Sequence, residues 1–381
     1  MNEPIKYFQV NWINGMKIGK DHFKDQENAF SDQIKDSIAS RLNTHNYGLL
    51  SPFVGKQNSL NIWHNLDNQK ILRLKITECR AITLGGARIE ISDIISGSNQ
   101  NPIPYPETTI DLESKKDGIY YITLSVNPFS RVAFGGANPD EDPPRRPYTI
   151  PQYKISTIPE DELSKQQIGP FHLTIGKMSI VDGRPSIVEN YIPPCVSINS
   201  HPDLIDFHSS VDDFYVRIEK FMVEIIQKLK QTRKTNKLAD SMLIISNRLL
   251  PYISMNTARL RWELINEPPI GLLVHIAAFA HSFRTILDTE VFQEREEIIN
   301  FFTDWCDIPK GKFDNILNNC MNFNYHHIDI FHNLEQVNEL MKIIYSIFEK
   351  TSKLDFITTK QPGPVIGEVK EEKKSKFSFL Q

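Results

Sequence analysis

Cysteine is scarce in this 381-residue chain: Cys79, Cys195, Cys306 and Cys320 stand far apart, and no C-x-x-C pair occurs. That distribution argues against a zinc module and against a disulfide framework, and it fits a reducing compartment. An excess of either charge is lacking too. With 43 Lys and Arg against 47 Asp and Glu, the formal charge is -4, so no global field gathers nucleic acid or an anionic membrane. The N-terminus, Met-Asn-Glu-Pro, has neither the basic nor the apolar region of a signal peptide. The longest apolar run, Pro268 to Ala280, is interrupted by Gly271 and His275 and is too short to span a bilayer. The expectation is a cytoplasmic protein with no direct membrane insertion and no nucleic-acid partner.

Signatures of chemistry are also missing. Gly85-Gly86 and Gly135-Gly136 are not followed by the further glycine and helix start of a phosphate loop. No Gly-x-Ser-x-Gly elbow, Cys/His nucleophile or His-Glu-x-x-His pattern appears. His326, His327, Asp329 and His332, near Cys320, could be assembled into a metal site, but the i, i+5 step from His327 to His332 does not place two imidazoles on one helical face. Asp140, Glu141 and Asp142 diverge along a proline-rich loop beside Arg145 and Arg146 and carry no calcium-loop spacing. The basic run Lys228, Lys230, Arg233, Lys234 and Lys237 follows a long helix, where the helix dipole favours cations. The chain reads as a non-enzyme with no cofactor or metal.

What is present is a change of periodicity. Up to about residue 198 the chain reads as strands: Leu60 to Trp63, Ile71 to Ile76, Ala81 to Leu84, Ala87 to Ile91, Ile119 to Val126 and Phe171 to Ile180 are rich in β-branched and aromatic residues, and several alternate apolar with polar. Ile5 to Ile13 reads as an entry strand, Gly15 as a turn and Asp21 as the N-cap of a helix reaching about Leu42. Phe23, Phe30, Ile34, Ile38 and Leu42 share one face of that helix, predicting that this stripe docks while Lys24, Asp25, Glu27 and Lys35 stay wet.

The stretch Tyr191-Ile192-Pro193-Pro194-Cys195 ends the β-rich part, because the proline pair fits neither a sheet interior nor a helix. Beyond it Leu204, Phe207, Val211, Phe214, Ile218, Phe221, Ile225 and Leu229 recur at helical spacing. A second row, Tyr215, Met222 and Ile226, widens the apolar face beyond a two-stranded seam. Further helices are expected at Leu238 to Leu250, Asn256 to Ile265, Ile270 to Leu287, Phe292 to Trp305, Phe313 to Cys320 and Leu334 to Phe348, with breaks at Pro251, Pro268-Pro269, Pro309 and Gly311. The prediction is an α+β multidomain chain. A β-sandwich or shoulder with a surface helix spans 1–198, a helical bundle or shaft 199–356, and a disordered charged tail 357–381, ending in Phe377, Phe379 and Leu380, a candidate docking peptide.

Four ordered segments carry a family resemblance. Val10 to Phe23 is similar to the opening V-x-W-x-E-G-M-x-L-x-P-Q-H-F of TssK, the baseplate subunit of type VI secretion systems, with Trp12, Gly15, Met16, His22 and Phe23 retained. Asn14 replaces the usual Glu, and Lys20-Asp21 replaces Pro-Gln. Tyr191 to Cys195 resembles the family's Y-I-P-P joint between β shoulder and helical shaft, giving Tyr191, Pro193 and Pro194 as joint residues. Glu267 to Thr285 is similar to the family helix that begins His-Pro, with His281 in place of a glycine, and Tyr325-His326 with Phe331 resembles the start of the last shaft helix.

The resemblance implies a non-catalytic homotrimer, with Phe214, Ile218, Phe221 and Ile225 in the shaft core or its oligomer contact. It implies TssF-, TssG- and TssE-like wedge partners and recruitment to the inner face of the inner membrane. Members usually continue into a C-terminal head, so a divergent form that reaches the envelope by a non-standard contact is expected. A phage-like trimeric receptor- or carbohydrate-binding protein is the alternative, and an enzyme built on His326 to His332 a third.

Overall fold

The computed structural model describes residues 4–67, 70–92, 104–163, 169–231, 237–289, 292–306, 308–309 and 311–354. The expected tail at 357–381, with Phe377, Phe379 and Leu380, lies outside them. Sheets occupy the first part of the chain and helices the second, in two compact units: Met1–His201 with His327–Asp329, and Pro202–His326 with Ile330–Gln381.

The first unit begins with helix α1 (Lys20–Ala39) and continues into two antiparallel sheets. In the five-stranded sheet, β3 (Ile71–Ile82) pairs with β1 (Gly48–Leu49), β2 (Leu60–Leu66), β4 (Arg88–Ile91) and β5 (Glu107–Asp111). Leu72, Leu74 and Ile76 bury one face of β3 while Arg73 stays exposed, the period-two pattern of a half-buried strand. The two strands expected at Ile71 to Ile76 and Ala81 to Leu84 are one, because the ladder to β2 runs on from Leu72 to Cys79 with an irregularity at Asn61 and Ile62.

The second sheet has the order β7-β6-β8-β9, from β6 (Gly118–Phe134), β7 (Tyr148–Pro159), β8 (His172–Val181) and β9 (Arg184–Ile187), with the short helix α2 (Glu160–Leu163) after β7. Strand β7 carries Pro151 and Pro159, which a sheet accepts at an edge. The entry strand expected at Ile5 to Ile13 does not form; its backbone is bonded to helix side chains instead.

The proline seam is buried within the first unit. Leu49 N donates to Pro194 O at 2.7 Å and Val196 N to Leu49 O at 2.9 Å, tying the seam to β1. Tyr191 OH donates to Ile328 O at 2.8 Å, within a cluster of Tyr121, Leu163 and Tyr191 against Ile158 and Ile328. The chain thus returns to this unit at His327–Asp329. Lys177 Nζ lies 2.9 Å from Asp329 and 3.3 Å from Glu160, over the ring of Tyr121. Burial opposes the ammonium, but Asp329 and Tyr121 outweigh it and hold the Lys177 pKa above its ordinary value. Burial and the Asp329 charge push the Tyr121 hydroxyl up to about 12.

The second unit contains α3 (Pro202–Gln231), α4 (Lys237–Trp262), α5 (Pro269–Asp288), α6 (Phe292–Cys306), α7 (Lys312–Met321) and α8 (Phe331–Lys353). Helix α3 packs on α4 and α8. Phe214 meets Phe279 edge-on at 5.9 Å, and Phe283 gathers Phe302, Phe313 and Phe348. The break expected at Pro251 is absent, and α4 runs through it. Pro251 and Asn247 are both exposed, so the Asn247 carbonyl that loses its helical donor is open to water. Among the described residues one helix, α5, is long and apolar enough to cross a membrane, and half of that window is buried in the protein.

Phe214, Ile218 and Ile225 are buried within a single chain. The wide apolar face that the sequence gives α3 is therefore covered by α4, α5 and α8 of the same copy. Phe221 is partly buried and meets Tyr345 at 5.5 Å. Phe221→Asp is accordingly expected to destabilise the helical unit by about 3 kcal/mol, measured by urea unfolding, without changing the oligomeric mass. A changed mass with an unchanged midpoint would return Phe221 to an interface.

Candidate functional site

The residues that resemble the family opening come together at the start of α1. Gly15 turns the chain with φ +80°, and Met16 N donates to Ile13 O at 3.3 Å. Gly19, not Asp21, is the N-cap, and its N–H donates to His22 Nδ1 at 3.1 Å. Trp12 stands 6.2 Å from both the His22 and Phe23 rings. Trp12 and Phe23 nevertheless remain about half exposed.

Helix α1 does not dock by the stripe the sequence suggested, although Lys24, Asp25 and Glu27 are exposed as expected. Asn28, Ala29, Asp32, Lys35 and Ala39 are buried, whereas Phe23 is 57% exposed, Phe30 50%, Ile34 62% and Ile38 36%. At 100° per residue the exposed stripe and the buried residues are centred about 150° apart around the helix. The correction has a physical cause: the polar inner face is fully engaged.

Asp32 Oδ1 is 2.9 Å from Lys35 Nζ, an ionic contact, and Oδ2 accepts the N–H groups of Lys6 at 2.6 Å and Tyr7 at 3.1 Å. The Lys35 ammonium sits over the rings of Phe129 and Phe171, which favours a desolvated cation. Burial alone would raise the Asp32 carboxyl; Lys35 and the two amides hold it below the usual carboxylate range. Arg131 pairs with Glu27 and donates to Asn28 Oδ1 at 3.1 Å. Close approach is secured at Gly86, where a Cβ would lie 2.3 Å from Lys35 O.

The N-terminal arm follows α1 in extended form. Besides the two amides on Asp32, Val10 N donates to Gln26 Oε1 at 3.1 Å, and Tyr7 packs on Phe129 at 4.5 Å. Ile5, Phe8, Ile13 and Ile18 are exposed. The stripe on α1 runs about 22 Å from Phe23 to Ile38, and clustered exposed apolar side chains of this kind mark interaction surfaces. Such a surface is suited to a protein contact.

The histidine and acidic candidates go elsewhere. His327 Nε2 donates to Tyr47 O at 2.7 Å, Asp329 binds Lys177, His326 faces Asn324 and His332 faces Gln336. No three His, Cys, Asp or Glu among the described residues are placed to hold a metal ion. Glu141 pairs with Arg145 at 2.5 Å.

Burial pushes His327, in the first unit, and His275, in the second, down to about 4. In the unfolded chain each titrates near 6.5. The unfolded state therefore binds the extra proton between these values, and stability is complete above about pH 6.5 and lost as pH falls toward 4. Each unit is expected to lose about 1.4 kcal/mol per pH unit through that window. Urea unfolding at pH 7.5, 6 and 5 measures this; His327→Gln should flatten the slope of the first unit, and equal midpoints at all three pH values would refute the assignment.

No protein-family model matches the sequence, and no curated protein matches it. Solved structures do. A crystal structure of TssK aligns over 88% of this chain and 68% of its own, with a TM-score of 0.51 and 13% identity. TssK of the EAEC type VI secretion system, bound to a nanobody, aligns over 85% of this chain and 99% of its own, at 0.45 and 14%. A chain of the TssK-TssF-TssG baseplate subcomplex aligns over 88% of this chain and 100% of its own, at 0.42 and 14%. The first alignment establishes that this chain has the TssK fold.

Proposed function

We propose that this chain of TssK fold is a non-catalytic baseplate subunit of a type VI secretion system. It acts as a trimeric adaptor between wedge proteins and the membrane-side assembly, on the cytoplasmic face of the inner membrane. The observation that carries the reading is the exposed stripe on α1. An amphipathic helix that turns Phe23, Phe30, Ile34 and Ile38 to solvent suits an assembly component, because that stripe is left uncovered by the described residues and gains burial against another chain.

The wedge contact is assigned to the α1 stripe, and the partners are TssF- and TssG-like chains. Each Phe or Ile buried there contributes on the order of 1.5 to 3 kcal/mol. Co-expression with the candidate wedge proteins tests this: the wild-type chain should co-purify with them at fixed stoichiometry, as a trimer by light scattering. Failure to co-purify while the chain is folded would refute the baseplate reading; a monomeric mass within an intact wedge complex would refute the trimer alone.

A further inference from the structure

Among the described residues, the other edge strands of the first unit are guarded against addition of a further strand. β4 carries Arg88 and Glu90, β5 Glu107 and Asp111, β7 Pro151, Lys154 and Pro159, and β9 Arg184 and Pro185. β1 has only two residues. Charges, prolines and shortness are the devices that keep sheet edges from pairing with other chains. β2, by contrast, reads Leu-Asn-Ile-Trp-His-Asn-Leu over seven residues, with neither proline nor formal charge. Among the described strands it pairs with β3 alone, and Trp63 and Leu66 are exposed on it. Beside it His64, Asn65 and Leu66 line a cleft of about 340 Å³ whose other wall includes Pro185, Ser186 and Ile187. Leu72 of β3, paired with Leu66, lines the same cleft.

The N-terminal arm is the complementary leftover. Residues 4–13 have the composition of a strand, yet they join no ladder among the described residues. The arm is held by the side chains of Asp32 and Gln26 rather than by backbone pairing, and Ile5, Phe8, Trp12 and Ile13 lie open. Gly15, at φ +80° with nothing within 4 Å of its Cβ position, provides a pivot between arm and helix.

We infer that the arm of one copy adds as a strand to the free edge of β2 in a second copy of this chain. Seven paired residues span about 23 Å, which the arm from Ile5 to Asn11 supplies, and pairing would cover Phe8 on one chain and Trp63 and Leu66 on the other. The arm and β2 are different surfaces, so the contact is head-to-tail. A head-to-tail contact closes into a ring when its rotation allows, and a trimer is one such ring. The inference rests on the copy-to-copy association proposed above, and not on the wedge contact.

Two differently tagged full-length chains, one carrying Phe8→Cys and the other His64→Cys, are co-expressed and mildly oxidised. Ile5→Cys and Trp12→Cys replace Phe8→Cys in parallel, to sample the register. A disulfide joining the two tags is expected for at least one arm position, at tenfold or more over a control with Val54→Cys, which is fully exposed in the same unit. Adding Trp63→Lys and Asn65→Lys to the His64→Cys chain should lower that yield at least tenfold. Cross-linking no greater than the Val54→Cys control at all three positions overturns the inference, as does a yield indifferent to the two lysines, or a monomeric mass for the parent chain. Wedge co-purification, read on the same samples, separates failure of arm pairing from failure of the baseplate reading.

Discussion

The chain carrying Phe30→Glu and Ile34→Glu together stays folded and loses its wedge partners. Both side chains face solvent from α1, and glutamate is at least as good a helix former as phenylalanine or isoleucine, so the unfolding midpoint should stay within about 0.5 kcal/mol of the parent. In a complex the same positions would bring two carboxylates into an apolar contact. Loss of two anchors costs on the order of 3 kcal/mol or more, about a hundredfold in Kd. Titration calorimetry against the isolated wedge proteins reads that change directly. Parent-like affinity would remove α1 from the contact. A midpoint lowered by several kcal/mol would instead mean that the stripe is buried and the polar side is not.

The stripe itself was legible in the sequence; its direction was not. Periodicity reports which residues share a face, and it assigns that face to the core only if the opposite face cannot be satisfied there. Asp32 and Lys35 can be, because Lys6, Tyr7, Phe129 and Phe171 supply the amides and rings that a buried ion pair requires. Those partners are remote in sequence, and nothing local to α1 announces them. The same limit explains the arm, whose apolar residues read as a strand although its amides are taken by Asp32 and Gln26.

Strong local patterns fared better. The helical row from Leu204 to Leu229 appears as Pro202–Gln231 and the alternation in Leu72 to Ile76 lies within the longer strand Ile71–Ile82, whereas β7 was obscured by its prolines. Continuity through Pro251 depends on exposure, which a sequence does not display. The motif residues Trp12, Gly15, His22 and Phe23 were found by resemblance, and the structure gives them local roles in a turn, a cap and an aromatic cluster. The unguarded edge of β2 becomes visible only once the strand order is known.

Gly48→Ala is expected to unfold the first unit under conditions where the parent is stable. Gly48 has φ +119°, and a Cβ there would lie 2.0 Å from Pro194 O and 2.2 Å from its carbonyl carbon. Neither atom is a movable side-chain end. To make room, β1 must separate from the proline seam, which breaks the bonds from Leu49 N to Pro194 O and from Val196 N to Leu49 O. Backbone strain of about 1 to 3 kcal/mol adds to two buried backbone bonds at about 1 to 3 kcal/mol each when left unsatisfied. A total on the order of 5 kcal/mol is comparable to the whole stability of a typical domain. Gly15→Ala is the control, since it has a positive φ but nothing within 4 Å, and it should cost only about 1 kcal/mol. Urea unfolding followed by far-UV circular dichroism compares the two. If Gly48→Ala lies within 1 kcal/mol of the parent, the seam at Pro193-Pro194 is not fixed against β1. A large loss at Gly48 with a small one at Gly15 shows that contact with the seam, rather than backbone conformation alone, demands the glycine.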